Sequence, residues 1–196
     1  MSNQLFSIGY ATKPIEIFIE QLKQYRIDVI ADVRSVPFSK VFHDYNQDRL
    51  KLHLVNSGFK YVYLGEELGP RSKDPAHYDS CGQVQFADLM QSDLFLEGIT
   101  RVQTGISKGY RIALMCAEKD PANCHRSTLI AYYLKHQLQQ DIPHIQHDGK
   151  LEQQNELEAR LMNLNEVQPD MLTGYEESMK IAYELQLKKT SYIKPK

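Results

Sequence analysis

The residues best suited to chemistry lie in one short stretch, where an apolar run meets two cysteines, a histidine and an arginine. The run Arg111–Met115 leads directly into Cys116, and Cys124, His125 and Arg126 follow soon after. Such a pattern predicts a strand, a loop and the start of a helix. Backbone N–H groups at a helix N-terminus attract anions and lower the pKa of a nearby thiol. We therefore predict the functional site in this stretch.

Each of the three reactive residues has a chemical and a structural interpretation. Cys116 ends the inferred strand and is either a nucleophile facing a crevice or a buried apolar thiol. Cys124 lies near the helix start, where a thiolate would be stabilised, although packing explains it equally well. His125 fits an acid, a base or an anion donor, or a histidine that only satisfies a backbone carbonyl. We predict these three as the catalytic group, and the sequence does not separate the two cysteines.

Charged residues near the strand ends form a candidate substrate-binding site. Arg34 and Arg126 present forked donors that match phosphate, sulfate or carboxylate oxygens. The alternative is an ion pair between Asp32 and an arginine that only fixes loops. Glu118 is either part of the binding site or a solvated acid of the loop. The predicted substrate-binding residues are Tyr10, Asp32, Arg34, Ser35, Glu118 and Arg126.

A metal site is the weaker interpretation of the same stretch. Cys116, Cys124 and His125 would need a distant further ligand such as Cys81 or His43. Structural zinc sites usually pair ligands about two to four residues apart, whereas Cys124 and His125 are adjacent and Cys116 lies well before them. We therefore predict no metal and no cofactor.

The elements that must position these residues alternate between strand and helix patterns. Short apolar or alternating runs predict strands at 5–8, 29–33, 59–63, 111–115 and 142–145. Helical spacing of apolar residues predicts helices at about 15–22, 46–58, with Asn46 as the cap, 86–109 in pieces and 123–138. This alternation predicts an α/β fold, namely a mainly parallel sheet of about five strands flanked by helices in a Rossmann-like three-layer sandwich.

The carboxyl ends of these strands carry most of the candidate residues. Gly9-Tyr10, Asp32 to Arg34, Tyr63 and Cys116 all fall at such ends. Ligands of open α/β sheets bind at this edge, so we expect these residues to share one crevice.

The chain beyond Gly149 has a different character, mostly polar with helical spacing at 151–164 and 175–187. We interpret it as an appendage or partner surface. The predicted organisation is an α/β core domain at 1–149 and a helical C-terminal extension of the same domain at 150–196.

Composition excludes several classes of protein. The 196 residues, 42% hydrophobic and 24% charged, suffice for one core, and a net charge of −2 gives no support for broad nucleic-acid binding. The three cysteines lack paired spacing and no leader-like segment opens the chain, which predicts a reduced, cytoplasmic protein. No run approaches the roughly 20 apolar residues of a membrane span, so we expect no membrane interaction.

Five motifs carry a resemblance to a known family: Ile8 to Tyr10, Asp32 to Ser39, Tyr61 to Leu64, Leu68-Gly69, and Cys116 to Arg126. In this order they closely resemble the bacterial and archaeal family catalogued as domain of unknown function 488, over about residues 5 to 148. The resemblance implies a cytoplasmic α/β domain with the motifs grouped at one site, and it implies no particular reaction.

A weaker similarity to rhodanese and to low-molecular-weight and dual-specificity phosphatases implies anion chemistry. The chain departs from that pattern because no arginine follows Cys116 five residues later and because the loop holds Glu118 and Asp120.

Two functions from different classes follow. The first is a hydrolase or transferase acting on an anionic, phosphorylated or nucleotide-like substrate at the Arg, Cys and His site. The second is a non-catalytic module that binds nucleic acid or protein, in which the cysteines are structural. In either case the late helices are a candidate surface for a homodimer.

Overall fold

A six-stranded sheet forms the centre of the molecule, described here by a computed structural model for residues 4–195. The strands are β1 Leu5–Gly9, β2 Val29–Asp32, β3 Lys60–Tyr63, β4 Ile112–Cys116, β5 His144–Ile145 and β6 Leu151–Glu152. Their spatial order is β3-β2-β4-β1-β5-β6, with β1 to β5 parallel and β6 antiparallel to β5. The predicted mainly parallel α/β fold is confirmed, with one strand more than expected.

Helices cover both faces of the sheet. The α-helices are α1 Ile15–Gln24, α2 Gln47–Asn56, α3 Phe86–Leu89, α4 Asp93–Ser107, α6 Gln154–Leu164 and α7 Tyr175–Thr190, and α5 is composed of a π-helical turn Arg126–Ala131 followed by Tyr132–Leu138. Every residue of β1, β2 and β4 is buried, as the continuous apolar runs predict for strands covered on both sides. In residues 4–195, no helix is long and apolar enough to cross a membrane.

Alternate residues of each strand face different helices. On one face Ile30, Ala113 and Met115 pack with α1 and α2. On the other face Ala31, Leu114 and Cys116 pack with α4 and α5. The helices that follow β1 and β2 therefore lie on one face, and the helix that follows β4 lies on the opposite face. Because β4 sits between β1 and β2, the chain leaves neighbouring strands towards opposite faces here, which is the position at the carboxyl edge where open α/β sheets usually bind ligands.

The register of the strands places the candidate residues at similar heights along that edge. Gly9 is level with Cys116, and Asp32 is level with both Met115 and Tyr63. These strand ends therefore lie along one edge of the sheet, and the expectation that they share one crevice stays a prediction.

The helix after β4 begins later than its sequence pattern predicts. A single turn, Pro121–Asn123, precedes it, and Asp120 accepts a hydrogen bond from the Ala122 N–H at 2.9 Å. The hydroxyls of Ser127 and Thr128 donate to Cys124 O at 2.9 and 3.1 Å. These side chains compete with regular α-helical bonding, and the first turn is π-helical.

Two element starts differ in detail from the sequence predictions. Asn46 occupies the N-cap position of α2 as predicted, but its side chain makes no capping bond, because its Oδ1 accepts the Ser39 N–H at 2.6 Å and fixes the preceding loop. The segment predicted as helix from 151 begins with β6, which pairs with β5 before α6 starts at Gln154.

The C-terminal helices pack on the loop that follows β4. Leu157 and Leu161 of α6 and Met179 and Ala182 of α7 surround Ala122. Beyond α7 the chain returns to the segment around Gly82, where the Lys194 N–H donates to Gly82 O at 2.8 Å and the Val84 N–H to Tyr192 O at 3.0 Å. The division at 149 and 150 stays a prediction.

Candidate functional site

Two thiols meet one carboxylate at the end of β4. Cys116 is the last residue of the strand and is 3% exposed, and the turn at Pro121 returns the chain so that Cys124, 2% exposed, lies beside it. Both S–H groups donate to Glu118 Oε2, from Cys116 Sγ at 2.8 Å and from Cys124 Sγ at 3.0 Å. Glu118 is the solvent-exposed member of the group.

His125 completes the group through a fixed tautomer. Its Nε2 lies 2.9 Å from Val33 O, and since a carbonyl only accepts, this nitrogen carries the proton. The lone pair of Nδ1 faces the sulfurs of Cys116 and Cys124 at 3.7 and 3.9 Å. One donor atom from each of Cys116, Glu118, Cys124 and His125 lies within 4.8 Å of the others. We call these four residues the cysteine–histidine cluster.

Burial and neighbouring charge shift the pKa values inside the cluster. Burial, with Cys116 as a neighbour, raises the pKa of the Cys124 thiol well above its ordinary value. Burial alone would lower the pKa of His125, but its contacts with Cys124, Glu118 and Val33 O raise it overall. Although Glu118 is exposed as a residue, its carboxylate lies against the two buried thiols, and this desolvation would raise its pKa; His125 and the two thiol donors nevertheless hold the pKa below its usual range. These shifts favour a protonated Cys124 thiol beside a charged Glu118 carboxylate.

Arg126 anchors the loop that follows β4. It is fully buried, its Nε donates to Ser7 Oγ at 3.2 Å, and its Nη1 donates to Glu118 O at 2.8 Å. A side chain at Gly9 would collide with that same carbonyl oxygen and with the guanidinium, so this close approach requires glycine. Arg126 thus fixes the position of the loop that carries Glu118.

Arg34 is held in a separate network on the neighbouring strand. Its Nε and Nη2 donate to the two carboxylate oxygens of Asp32 at 2.8 and 2.6 Å, and its Nη1 donates to Tyr45 O at 2.8 Å. The guanidinium carbon lies 5.1 Å from the ring centre of Tyr10, which stacks on Tyr45 at 4.1 Å. Tyr61 donates its hydroxyl to Asp32 Oδ2 at 2.8 Å. We call this the Asp32–Arg34 network.

The predicted site residues thus separate into three groups. Cys116, Glu118, Cys124 and His125 come together, whereas Tyr10, Asp32 and Arg34 form the neighbouring network and Arg126 supports the loop. Ser35 lies further out, where its Oγ accepts the Arg71 N–H at 3.0 Å. The two distant metal ligands considered from the sequence, Cys81 and His43, are exposed and are not members of the cluster.

A small cavity of about 190 Å³ opens onto the cluster at Glu118 and His125. Its other lining residues are Pro70, Arg71, Phe86, Asn123, Thr128, Thr190, Ser191 and Tyr192. Arg71 and the C-terminal residues were not predicted as site residues. In the sequence, Arg71 lies 45 residues before Cys116 and Thr190 lies 74 residues after it, and only the fold brings them together.

Comparison with known proteins identifies a family but no relative of known activity. A family model described as "Domain of unknown function DUF488" matches residues 14–133, which include all four residues of the cluster. No curated protein matches the chain. No solved structure matches it either.

Proposed function

We propose that this chain, which belongs to the DUF488 family, is an enzyme of the metal-dependent hydrolase class with zinc at the cysteine–histidine cluster. Cys116, Cys124 and His125 would bind the metal, and Glu118 would handle the proton of the attacking water. The observation that carries the proposal is the convergence of two sulfurs, one imidazole nitrogen and one carboxylate oxygen within 4.8 Å.

The donor set and its spacing suit zinc. Zinc takes cysteine sulfur at about 2.3 Å and histidine nitrogen at about 2.0 to 2.1 Å, so tetrahedral ligands lie roughly 3.3 to 3.8 Å apart. His125 Nδ1 lies 3.7 and 3.9 Å from the two sulfurs, close to that separation without rearrangement. Each thiol proton would leave on binding, because the thiolate is the ligand.

The surroundings of the ligands also support a metal centre. Histidine ligands commonly donate their second ring nitrogen to a carbonyl or carboxylate, which fixes the tautomer and orientation. His125 does this through Val33 O. Arg126 holds the loop backbone at Glu118 O, so it is a positioning residue.

The exposed position of Glu118 favours catalysis over a purely structural site. Catalytic zinc sites keep three protein ligands and leave the fourth position to water, whose pKa the metal lowers to about 7. A bound zinc would activate water for attack on a carbonyl or phosphoryl centre. Glu118 would accept the proton of that water and deliver it to the leaving group as the bond to that group breaks.

Metal content is the first test of the proposal. We expect about one zinc per chain in the purified wild-type protein and far less in Cys116→Ser, measured by elemental analysis. Cys81→Ser is the matched control, because Cys81 is exposed and outside the cluster. A folded wild-type protein that takes up neither zinc nor another divalent transition metal would contradict the proposal and return both thiols to nucleophile chemistry.

Glu118→Gln separates an enzyme from a binding module. If Glu118 is the base, the variant retains zinc, and zinc X-ray absorption gives two sulfurs, one nitrogen and one light atom in both proteins. Loss of zinc in the variant would identify a closed four-ligand structural site, as expected for the non-catalytic module. The reduced thiols that zinc requires agree with the cytoplasmic location predicted from the cysteines.

A further inference from the structure

We propose that the cavity of about 190 Å³ beside the cluster binds the carboxylate of a small monoanionic substrate through Arg71. This assignment rests on the proposed function, because it names the substrate class of the same centre. Arg71, Glu118 and His125 all line this cavity, so a molecule bound to Arg71 would lie beside the proposed metal.

Arg71 differs from the two arginines predicted from the sequence. The guanidinium groups of Arg34 and Arg126 already donate to protein oxygens. Within residues 4–195, the Arg71 guanidinium forms no ion pair or hydrogen bond with the protein. Its carbon lies 4.7 Å from the ring centre of Tyr192, while its backbone N–H is held by Ser35 Oγ. Stacking orients the planar fork and leaves its donors for a ligand.

Charge and size favour a small carboxylate over a larger or doubly charged anion. One guanidinium faces a cavity that also contains the Glu118 carboxylate, so a dianion would meet repulsion at the catalytic end. A liquid water molecule takes up about 30 Å³, so the cavity holds a ligand the size of roughly six waters. The apolar sides of Pro70 and Phe86 suit a short carbon chain.

Among the serine and threonine hydroxyls that line the cavity, that of Ser191 is left for the ligand. Thr128 and Thr190 donate their hydroxyls to backbone carbonyls of the protein at 3.1 and 2.8 Å. Ser191 Oγ is buried and has no hydrogen-bond partner among the described residues. A buried hydroxyl without a partner costs free energy, so a bound carboxylate or polar substituent would satisfy it.

The segment after α7 forms one wall of the cavity. Thr190, Ser191 and Tyr192 line it, and the backbone bonds of Tyr192 and Lys194 to the segment around Gly82 hold the wall in place. Selectivity for the acid would therefore come from Arg71 and this wall rather than from the proposed metal ligands.

Propanoate binding to the wild-type protein and to Arg71→Gln tests the proposal. Titration followed by amide chemical shifts in zinc-loaded protein is expected to give binding that weakens about tenfold or more in the variant, as for a lost charged hydrogen bond. Arg49→Gln is the control, because Arg49 is exposed and does not line this cavity. Inorganic phosphate is the second probe and is expected to bind more weakly than propanoate.

The outcomes separate this proposal from the metal proposal. Equal propanoate binding by wild type and Arg71→Gln, or no binding by either, would overturn the assignment. Phosphate binding tighter than propanoate would overturn the carboxylate class. Arg71-dependent propanoate binding in a protein that holds no metal would support the cavity while the proposed function fails. Ser191→Ala is the second variant and is expected to weaken binding without changing zinc content.

Discussion

The cysteine–histidine cluster and the Asp32–Arg34 network are both buried, charged and located at the same edge of the sheet, yet their hydrogen bonding differs. In the network, the guanidinium of Arg34 finds oxygens for Nε, Nη1 and Nη2, and the hydroxyl of Tyr61 adds a further donor to Asp32. In the cluster, two S–H groups share one oxygen of Glu118, and the lone pair of His125 Nδ1 has only distant sulfurs as neighbours. The network is satisfied by the protein, whereas the cluster has ligand capacity that the protein does not use.

Two buried histidines repeat the contrast. His144 is satisfied at both nitrogens, since Nδ1 accepts from Ser7 Oγ at 2.7 Å and Nε2 donates to Gln154 Oε1 at 2.6 Å. His125 is well satisfied at Nε2, while its Nδ1 has only long contacts of 3.7 and 3.9 Å to the two sulfurs. Burial and residue type are therefore poor guides to function, and unused donor or acceptor capacity is the better one.

Removal of Asp32 should produce the largest loss of stability. Asp32→Ala leaves Arg34 charged and buried without its partner, which typically costs about 3 to 5 kcal/mol. Urea unfolding of the metal-free proteins measures the free energy of unfolding. Asp44→Ala, at an exposed ion pair with His53, is the control and should change it by less than about 0.5 kcal/mol. If folded Asp32→Ala also loses its zinc site, the two groups are not independent.

Zinc should stabilise the wild-type protein and not a cluster variant. At a free zinc concentration 100 times Kd, binding adds about 2.7 kcal/mol to the free energy of unfolding. His125→Ala should show little of this gain, because it lacks one of the three proposed ligands. Thermal unfolding with and without zinc measures this stabilisation, and Cys81→Ser is expected to respond like the wild type. An equal zinc response in His125→Ala would contradict the ligand assignment.

His144 should make stability depend on pH. Burial, with a smaller contribution from the charge of Arg126, lowers its pKa from 6.5 to about 3. Between these values the unfolded chain binds a proton that the folded protein does not, so the stability contribution is present above pH 6.5 and is lost as pH falls. The loss is about 1.4 kcal/mol per pH unit within that window.

His144→Gln isolates this contribution. In metal-free protein, the stability difference between wild type and variant should shrink as pH falls from 6.5 towards 4, measured by urea unfolding. A difference that stays constant with pH would mean that the folded protein protonates His144 as readily as the unfolded chain does.

Tyr61→Phe should produce the smallest effect. The substitution removes one hydrogen bond to Asp32, while Arg34 still occupies both carboxylate oxygens. We expect a loss of about 1 kcal/mol in the free energy of unfolding and unchanged zinc content. A loss as large as that of Asp32→Ala would show that the network depends on the hydroxyl rather than on the ion pair.

The sequence predicts the scaffold better than the site, for physical reasons. Apolar runs such as Val29–Ile30 report burial on both faces directly, so the strands and their shared edge are predictable. Linear spacing does not report how a loop folds back. It suggested Cys81 or His43 as a further ligand, whereas Glu118 lies close to Cys116 and the turn at Pro121 brings Cys124 and His125 back to them.

The arginines show a second limit of prediction from sequence. An arginine side chain predicts anion binding by its chemistry, but only the structure reveals which of its N–H donors already bond to the protein. Arg34 and Arg126 are engaged, and the anion clamp predicted from them stays untested, whereas Arg71 becomes a candidate only through its stacking on Tyr192. The π-helical turn of α5 could not be predicted from the sequence either, because it depends on hydrogen bonds from the Ser127 and Thr128 hydroxyls to Cys124 O.

The segment after α7 lies outside the stretch that matches the family, residues 14–133, yet Thr190 to Tyr192 line the cavity beside the cluster. The ligand atoms of the cluster all come from inside that stretch. On the two proposals, the ligands of the reaction centre and Arg71 would come from the matched stretch, and the late segment would add one wall of the substrate cavity. Substitutions in that wall would then change which acid is bound while the proposed metal ligands stay unchanged.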